Sequence, residues 1–394
     1  MSLRAIKTAV AVLTATAVAV LPAGPAQADR IRDDQWHLRY LRVAEAHKIS
    51  QGEGVTVAVI DTGVDPHPDL RNNLLQGTDV IAGGRGNGQG DTDSHGTGMA
   101  GIIAAHGHGN SGALGIAPQA KILPIRDETS SQAGNADNIA QGINYAVSHG
   151  ARVINISSSS GPSPSLDKAV TAAVRADVLI VAGAGNKPRD FGVTFPAFLP
   201  GVLAVSATDR NSNLSNVSVT GRKIAIAAPG TDIYTTRPNG AYRAGTGTSD
   251  SAAIVSGAAA LVRSKYPNLS AQEVVHRLTA TAVDKGAPGR DEEYGYGILD
   301  LVAALTADVP PLATGTPSAD PSPAESDPVA APPRQPSNGS GDTLLLVAGL
   351  LLVVALAIGL LVVLSHRRRR AAGAGRVTGS AGSGGGPAAG GTDG

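Results

Sequence analysis

The chain has 394 residues, and its 32 lysine and arginine side chains balance 32 aspartates and glutamates. This balance gives no support at the level of composition for a nucleic-acid partner or for a generally acidic partner. The chain has no cysteine, so a folded domain must be stabilised by packing without disulfides, and a domain of roughly 280 residues is large enough for that.

The first 28 residues have the features of a secretory signal. Arg4 and Lys7 precede a largely apolar run over residues 9–21, and the Ala-Gln-Ala at residues 26–28 predicts cleavage after Ala28. The apolar run is shorter than the roughly 20 residues that a membrane span needs. The alternative interpretation is a buried core helix.

From residue 55 onward, short β-branched runs alternate with longer helical patterns, which is typical of a parallel sheet covered by helices on both faces. The predicted strands are residues 55–60, 121–125, 153–156, 178–182, 202–207 and 224–228. The predicted helices are residues 135–148, 165–176 and 270–280, the last beginning with a capping box. Residues 29–308 are therefore predicted to form one three-layer α/β/α domain with a mainly parallel sheet.

Three motifs place an aspartate, a histidine and a serine in a chain order used by serine hydrolases. Asp61 begins an Asp-Thr-Gly motif after the first predicted strand, His95 begins a His-Gly-Thr-Gly motif, and Ser249 ends a Gly-Thr-Ser motif. Asn186 follows another predicted strand by a glycine-rich turn. Because functional groups gather at the carboxyl ends of parallel strands, we expect these four residues to converge.

Other interpretations of these residues are weaker. Asp61 alone could be an ordinary carboxylate at a strand end, and an aspartic protease would need a second Asp-Thr-Gly or Asp-Ser-Gly, which the chain lacks. Asn186 could be a turn residue. His106 and His108 have no cysteine and no carboxylate at helical spacing near them, so we expect a solvated loop there and no metal.

The motifs and their order resemble the subtilisin-like serine peptidases (peptidase S8), over about residues 36–305. Within that group the chain is similar to the mycosins, the proteases associated with type VII secretion in actinobacteria. This similarity is carried by residues 45–52 (EAHKISQG), 199–205 (LPGVLAV) and 294–297 (YGYG).

The resemblance implies a subtilisin-like fold and a serine endopeptidase that acts on proteins or peptides without a cofactor. Ser249 would be the nucleophile, His95 the general base, Asp61 the residue that orients His95, and Asn186 a donor to the oxyanion. The substrate-binding residues implied by the resemblance, at the substrate-pairing segment and the wall of the first specificity pocket, are Ser157, Ser158, Ser159, Ala182, Gly183 and Gly185.

The chain departs from the family pattern at Asp250, where relatives have a bulky residue. A carboxylate is favourable at a helix N-terminus, but next to Ser249 it would oppose the oxyanion and favour protonated His95, which shifts activity to higher pH. Ser159 and Ser160 replace two glycines, so their Cβ atoms would narrow the cleft. Asp250 favours a second hypothesis, a subtilisin-fold structural subunit of the secretion complex with little or no turnover.

The carboxyl-terminal part is predicted to anchor the protein in the cell membrane. Residues 309–342 are a proline-rich linker, and residues 343–364 are a transmembrane helix. Its uninterrupted apolar stretch, residues 344–364, would be roughly 31 Å long as a helix, which matches the ~30 Å core of a membrane. Four arginines follow the span directly, at residues 367–370, which places the disordered tail, residues 365–394, in the cytoplasm. The peptidase domain would then lie outside the cytoplasm, with the membrane and a type VII secretion complex as partners.

Overall fold

The computed structural model describes residues 27–109, 111–130 and 134–312. Most of the predicted signal segment, nearly all of the predicted linker, and the whole of the predicted transmembrane helix and tail lie outside these residues. Among the described residues, no helix is both long and apolar enough to cross a bilayer.

The described part of the chain contains short edge elements as well as the long predicted ones. Its helices are α1 (Gln27–Asp34), α2 (Trp36–Tyr40), α3 (Val43–Ala46), α4 (His95–Ala104), α5 (Ala136–Ser148), α6 (Pro164–Arg175), α7 (Thr248–Lys265), α8 (Ala271–Ala280) and α9 (Leu301–Thr306). Its strands are β1 (Thr56–Asp61), β2 (Thr78–Asp79), β3 (His106–His108), β4 (Ser111–Leu114), β5 (Lys121–Arg126), β6 (Val153–Ile156), β7 (Leu179–Gly183), β8 (Val202–Thr208), β9 (Ile224–Pro229), β10 (Ile233–Arg237) and β11 (Ala241–Gly245).

Seven strands form one sheet in the order β2-β5-β1-β6-β7-β8-β9, and every neighbouring pair in it is parallel. All six predicted strands belong to it, each with bounds within one residue of those expected. The carboxyl ends of β1, β6 and β7 therefore lie next to one another, and the chain turns from these ends into the residues predicted to carry the chemistry.

Helices cover the sheet on both faces, as predicted. Val57 and Val59 of β1 pack in the core cluster that contains α4 and α7, whereas Ala58 and Ile60 pack in the cluster that contains α5 and α6. This alternation follows from the two-residue period of a strand. The result is a subtilisin-like α/β fold with a parallel sheet buried on both sides.

Helix α7 is the most buried of the long helices, because Thr248 to Arg263 are all buried. Most of these residues are small, so the helix lies close to β6, β7, β8 and β9. Its first turn carries Ser249, and the fold therefore holds the predicted nucleophile at the end of a rigid element.

The segment before β1 packs on the domain through α1, α2 and α3. Trp36 is 8% exposed, and its indole N–H lies 3.1 Å and 3.0 Å from the carbonyl oxygens of Thr231 and Asp232. Gln35 is fully buried and its side chain exchanges hydrogen bonds with Leu114. Trp36 therefore packs this segment against the domain.

His106 and His108 differ from the predicted solvated loop. They lie in the short antiparallel pair of β3 and β4, and His106 is only partly exposed. His108 Nδ1 lies 2.7 Å from the buried Asp69 carboxylate, which the sequence spacing could not indicate. In the part of the chain that the structure describes, no group of three or more potential ligands is arranged for a metal.

Candidate active site

Asp61 and His95 meet at the carboxyl end of β1. Asp61 ends this strand and is fully buried, and His95 is the first residue of α4. His95 Nδ1 lies 2.7 Å and 2.9 Å from the two carboxylate oxygens of Asp61. A carboxylate on Nδ1 holds the imidazole in the tautomer whose Nε2 accepts a proton, which is the arrangement of a general base.

The start of α4 is held by a polar network around Asp91. One carboxylate oxygen of Asp91 accepts hydrogen bonds from the Thr62 hydroxyl and the Ser94 amide, and the other accepts both the amide and the hydroxyl of Thr97. The Thr62 hydroxyl in turn accepts the Gly96 amide at 3.0 Å. Thr62, Asp91 and Thr97 therefore fix the position of His95. Their roles were not predicted from the sequence.

Helix α4 begins so close to the end of β1 that residue 96 must be a glycine. A Cβ atom at this position would lie 2.1 Å from the Gly63 carbonyl oxygen and 3.1 Å from the Asp61 Cβ. The glycine therefore lets α4 begin directly against the end of β1.

The surroundings of His95 shift its pKa in both directions. Burial, the largest influence, lowers the pKa of His95, but the charge of Asp61 and the hydrogen bond to it raise it. Arg243 opposes them and Asp250 adds to them, and the resulting pKa of His95 lies above its ordinary value. The unprotonated base is therefore favoured only at higher pH.

Ser249 lies at the second position of α7 and contacts the end of β6. Its hydroxyl donates to the Ser157 carbonyl oxygen at 3.3 Å, and the Ser157 hydroxyl donates to the Ser249 carbonyl oxygen at 3.4 Å. Because Ser249 is in the first turn of α7, its backbone N–H has no acceptor within the helix and is available to a ligand.

Gly183 and Gly185 contact Thr248, the residue before Ser249. A Cβ atom on Gly183 would lie 3.0 Å from the Thr248 backbone, and the Gly185 amide donates to the Thr248 hydroxyl at 3.1 Å. Ala182 precedes them in β7 and is fully buried. Gly183 and Gly185 therefore position the start of α7, a role that is additional to the pocket wall implied by the resemblance. Ala182 instead packs in the cluster that contains α5 and α6, on the other face of the sheet.

Asn186 is oriented by its own carbonyl group. Its Oδ1 accepts the Thr248 amide at 2.9 Å, and its backbone N–H donates to Asp190 at 2.7 Å. Its Nδ2 makes no hydrogen bond to any described residue and lies near Gly247, two residues before Ser249. The amide is thus held with its donor group available beside Ser249.

The loop that continues from Asn186 carries an exposed aromatic side chain. Phe191 has its whole side chain in solvent, five residues beyond Asn186. In the same loop, Arg189 Nη2 donates to the Ser159 hydroxyl at 3.3 Å. The loop therefore contacts the segment predicted to bind substrate.

Ser157, Ser158 and Ser159 follow β6 as one extended segment. Ser158 is 7% exposed, and its hydroxyl has no hydrogen-bond partner among the described residues. The Ser159 carbonyl oxygen accepts the Gly134 amide at 2.9 Å. A substrate that paired with the Ser159 carbonyl would have to replace that hydrogen bond, and the Ser158 hydroxyl lies beside the carboxyl groups of Asp127 and Glu128.

Asp250 is more enclosed than a residue at a helix N-terminus usually is, with 3% of its surface exposed. Asp250 Oδ1 and Arg243 Nη1 both lie close to Gly245, since a Cβ added to that glycine would be 2.7 Å from the first and 2.9 Å from the second. Burial raises the pKa of Asp250, and the Arg243 charge lowers it by less. The effect of Asp250 on the pKa of His95 has the expected sign but is smaller than that of Asp61. The opposing charge of Arg243 was not predicted from the sequence.

Two further acidic residues lie beside this site without having been predicted. Asp127 and Glu128 directly follow β5, and both are buried. Burial and the neighbouring Glu128 and Asp61 charges raise the pKa of Asp127 well above its usual range. Burial and the charge of Asp61 raise the pKa of Glu128 to about 7. Two adjacent acidic residues at the end of an apolar strand were the signal available in the sequence.

Comparison with known proteins identifies the class. A family model for the subtilase family (peptidase S8) matches residues 52–297, and the chain belongs to this family and is a serine-type endopeptidase. It is 36% identical to Subtilisin Savinase from Lederbergia lenta over 271 residues, which covers 68% of this chain and 97% of that protein.

Within the family, solved structures of mycosins are similar to this chain. MycP1 from Mycobacterium smegmatis is 34% identical with a TM-score of 0.62, and the similarity covers 70% of this chain and 85% of that one. MycP3 from the type VII (ESX-3) secretion system is 35% identical with a TM-score of 0.61, over 69% of this chain and 88% of that one. The predicted resemblance to the mycosins is confirmed.

Proposed function

We propose that Asp61, His95 and Ser249 form the catalytic triad of this endopeptidase. The observation that carries the proposal is the His95 imidazole on the buried Asp61 carboxylate, at the start of a helix, α4, that packs on α7. Ser249 lies at the start of α7, beside Asn186, whose Oδ1 accepts the Thr248 amide. This arrangement supports attack by a serine hydroxyl on a peptide carbonyl.

In the proposed mechanism, Ser249 Oγ attacks the carbonyl carbon of the peptide bond while His95 Nε2 takes the hydroxyl proton. The negative charge that develops on the carbonyl oxygen receives hydrogen bonds from Asn186 Nδ2 and the Ser249 backbone N–H. His95 then gives its proton to the leaving amine, which breaks the C–N bond and leaves an acyl group on Ser249. Water releases this group by the same steps, with His95 again acting as base.

We further propose that the enzyme works outside the cytoplasm, anchored in the cell membrane by residues 343–364, at a type VII secretion complex. The signal segment, the apolar stretch and the four arginines after it support this topology. Similarity to MycP1 and MycP3 supports the assignment to type VII secretion. Carbonate extraction of membranes, with a chain that ends at residue 311 as the control, tests the anchor.

A fluorophosphonate probe tests the triad directly. We expect the wild-type protein to be labelled and Ser249→Ala not to be, whereas Ser251→Ala, which changes another buried serine of α7, keeps its labelling. Asn186→Ala should lower kcat by roughly 10²–10³, as expected for the loss of one oxyanion donor; the measured precedent for this value is subtilisin, a member of the same family.

Absence of Ser249-dependent labelling across a broad pH range would contradict the proposed triad. The structural hypothesis makes a different prediction in cells: Ser249→Ala supports secretion, whereas deletion of the whole chain does not. Loss of secretion in both strains would instead show that turnover is required.

A further inference from the structure

Strand β5 pairs with β1, and the acidic residue Glu128 follows it at the edge of the proposed active site. Asp61 pairs with Arg126 at the end of β5, and the Asp127 amide donates to the Asp61 carbonyl oxygen at 3.0 Å. This bond extends the pairing of the two strands by one step. Glu128 is therefore two residues beyond the partner of Asp61 and lies past the carboxyl end of the sheet.

The period of the strand places Glu128 on the same face as His95. In β5, Ile122 packs in the core cluster with α4 and α7, whereas Leu123 and Ile125 pack in the cluster on the opposite face. Because side chains alternate along an extended chain, Glu128 falls on the face of Ile122, and Asp127 falls on the other. The charges of Asp61, His95 and Asp93 all act on Glu128, which agrees with this placement.

The carboxyl group of Glu128 has little to compensate its charge. Glu128 is 8% exposed, and its Oε2 has no hydrogen-bond partner in the described part of the chain. The neighbouring Asp127 is fully buried, and neither of its carboxylate oxygens has a partner there. A buried carboxylate without a partner is costly, and a cation that entered beside it would remove much of that cost.

The path of the substrate brings one particular side chain to this point. In the proposed enzyme, substrate lies extended along Ser157 to Ser159, and the residue whose carbonyl is attacked points into the pocket walled by Ala182 to Gly185. The side chain of the residue before it points the opposite way, because successive side chains of an extended chain alternate. That direction leads toward His95 and Glu128.

From this geometry we infer that Glu128 is a specificity-determining residue, which binds the Lys or Arg side chain of the substrate residue immediately before the one whose carbonyl is attacked. The inference rests on the proposed catalytic role of Ser249. Asp93 lies close enough to add to the attraction, and the Ser158 hydroxyl lies beside both Asp127 and Glu128, where it lowers the pKa of each. The opposite pocket has Arg189 against Ser159, which disfavours a basic side chain there.

Matched peptides test the inference. Quenched fluorescent peptides would be identical except for Lys, norleucine or Glu at the position before the attacked residue, and a second set would carry the same changes at the attacked residue itself. The enzymes compared are the full-length wild type, Glu128→Gln, Glu128→Asp and the exposed control Glu53→Gln, each titrated with a fluorophosphonate probe to count active sites.

For the wild type we expect kcat/KM to be roughly tenfold higher with Lys than with norleucine, as one partly buried ion pair supplies. The ratio falls toward one in Glu128→Gln and is largely kept in Glu128→Asp and Glu53→Gln. Because the pKa of Glu128 is about 7, the ratio in the wild type is larger at pH 9 than at pH 5.5. A change in the protonation of His95 affects the hydrolysis of both peptides equally. It therefore cancels in the ratio of their kcat/KM values.

The outcomes separate this inference from the proposed function. Labelling and hydrolysis with no preference for Lys, or a preference that survives in Glu128→Gln, would overturn the role of Glu128 and leave the triad intact. A preference for Lys only at the attacked residue would also overturn it. Absence of both labelling and hydrolysis would overturn the triad, and the inference with it.

Discussion

His95 lies among charges of opposite sign whose balance sets the working pH of the enzyme. Asp61 and Asp250 favour the protonated imidazole, and burial and Arg243 oppose them, with the pKa of His95 raised as the net result. In the proposed mechanism, His95 must be unprotonated to take the Ser249 proton, so kcat/KM is expected to rise with pH through the pKa of His95. Asp250 and Arg243 are the charges in this set that lie outside the proposed triad, and Asp250 is the one of the two that raises the pKa of His95.

Asp250→Asn is therefore expected to move the acid limb of the profile of kcat/KM against pH to lower pH. The reason is that the charge of Asp250 stabilises protonated His95, and its removal lowers the pKa of His95. Steady-state hydrolysis of one peptide across pH measures the limb, with Asp167→Asn on the exposed face of α6 as the control. A limb that stays in place, or moves to higher pH, would contradict this role of Asp250.

At this scale, the sequence predicted the residues that lie in short motifs and missed those that reach the site from elsewhere. Asp61, His95, Ser249 and Asn186 each stand beside glycine or small residues, because close backbone approach is needed where strands and helices meet. Arg243 lies in β11, and no local pattern relates it to Asp250. The two residues come near each other only because β11 folds back beside the start of α7.

Helix α4 approaches the pair of β10 and β11 through a face of glycines. A Cβ on Gly101 would lie 2.1 Å from Thr236 Oγ1 and 2.6 Å from Thr235 Oγ1. Those two hydroxyls donate to the carbonyl oxygens of Thr97 and Gly98, respectively. The hydrogen bonds hold the hairpin against the helix that begins with His95, so extra volume between them disturbs both elements.

Gly101→Ala should lower the free energy of unfolding by about 1–3 kcal/mol, as expected for overpacking a close contact. Urea denaturation followed by circular dichroism measures the change. Gly161→Ala is the matched control, because a Cβ there meets no atom within 4 Å. If both variants are equally stable, the contact between α4 and β10 is looser than the distances indicate.

Among the elements, periodicity predicted the long ones and gave no signal for the short ones. The six predicted strands and three predicted helices are present, and the capping box of Ser270 and Glu273 begins α8 as expected. The two residues of β2 are a strand only because they pair with β5. Helices α2 and α3 are too short to be stable alone, so their formation depends on the surface they pack against.

For the whole molecule, the segment before β1 is part of the folded unit, and it contains a buried histidine. His37 in α2 is fully buried, and neither of its ring nitrogens has a hydrogen-bond partner among the residues that the structure describes. Burial lowers the pKa of His37 to about 3. The folded protein therefore keeps His37 neutral at pH values where the unfolded chain binds a proton.

This difference predicts a loss of stability in mild acid. Because the pKa of His37 is depressed in the folded state, its contribution is present above the unfolded value of about 6.5 and is lost as pH falls below it. We expect about 2 kcal/mol to be lost from this source between pH 7.5 and pH 5. His37→Leu should remove that part of the pH dependence in denaturant titrations of the purified protein.

Trp36→Phe provides the comparison for His37→Leu, because it weakens the same helix without changing a titrating group. Its effect on the free energy of unfolding should be the same at both pH values. If His37→Leu leaves the pH dependence unchanged, then His37 gains a proton in the folded state and α2 is less tightly packed than described.

The exposed ring of Phe191 has a practical consequence in a chain that has no cysteine. Replacing it with cysteine would create a single thiol in solvent, on the loop that runs from Asn186 past Ser159. A fluorophore attached to that thiol would be the only label on the molecule, and it would lie at the rim of the cleft. Changes in its emission would report the arrival and departure of peptides in real time, including on the Ser249→Ala protein, where substrates stay intact.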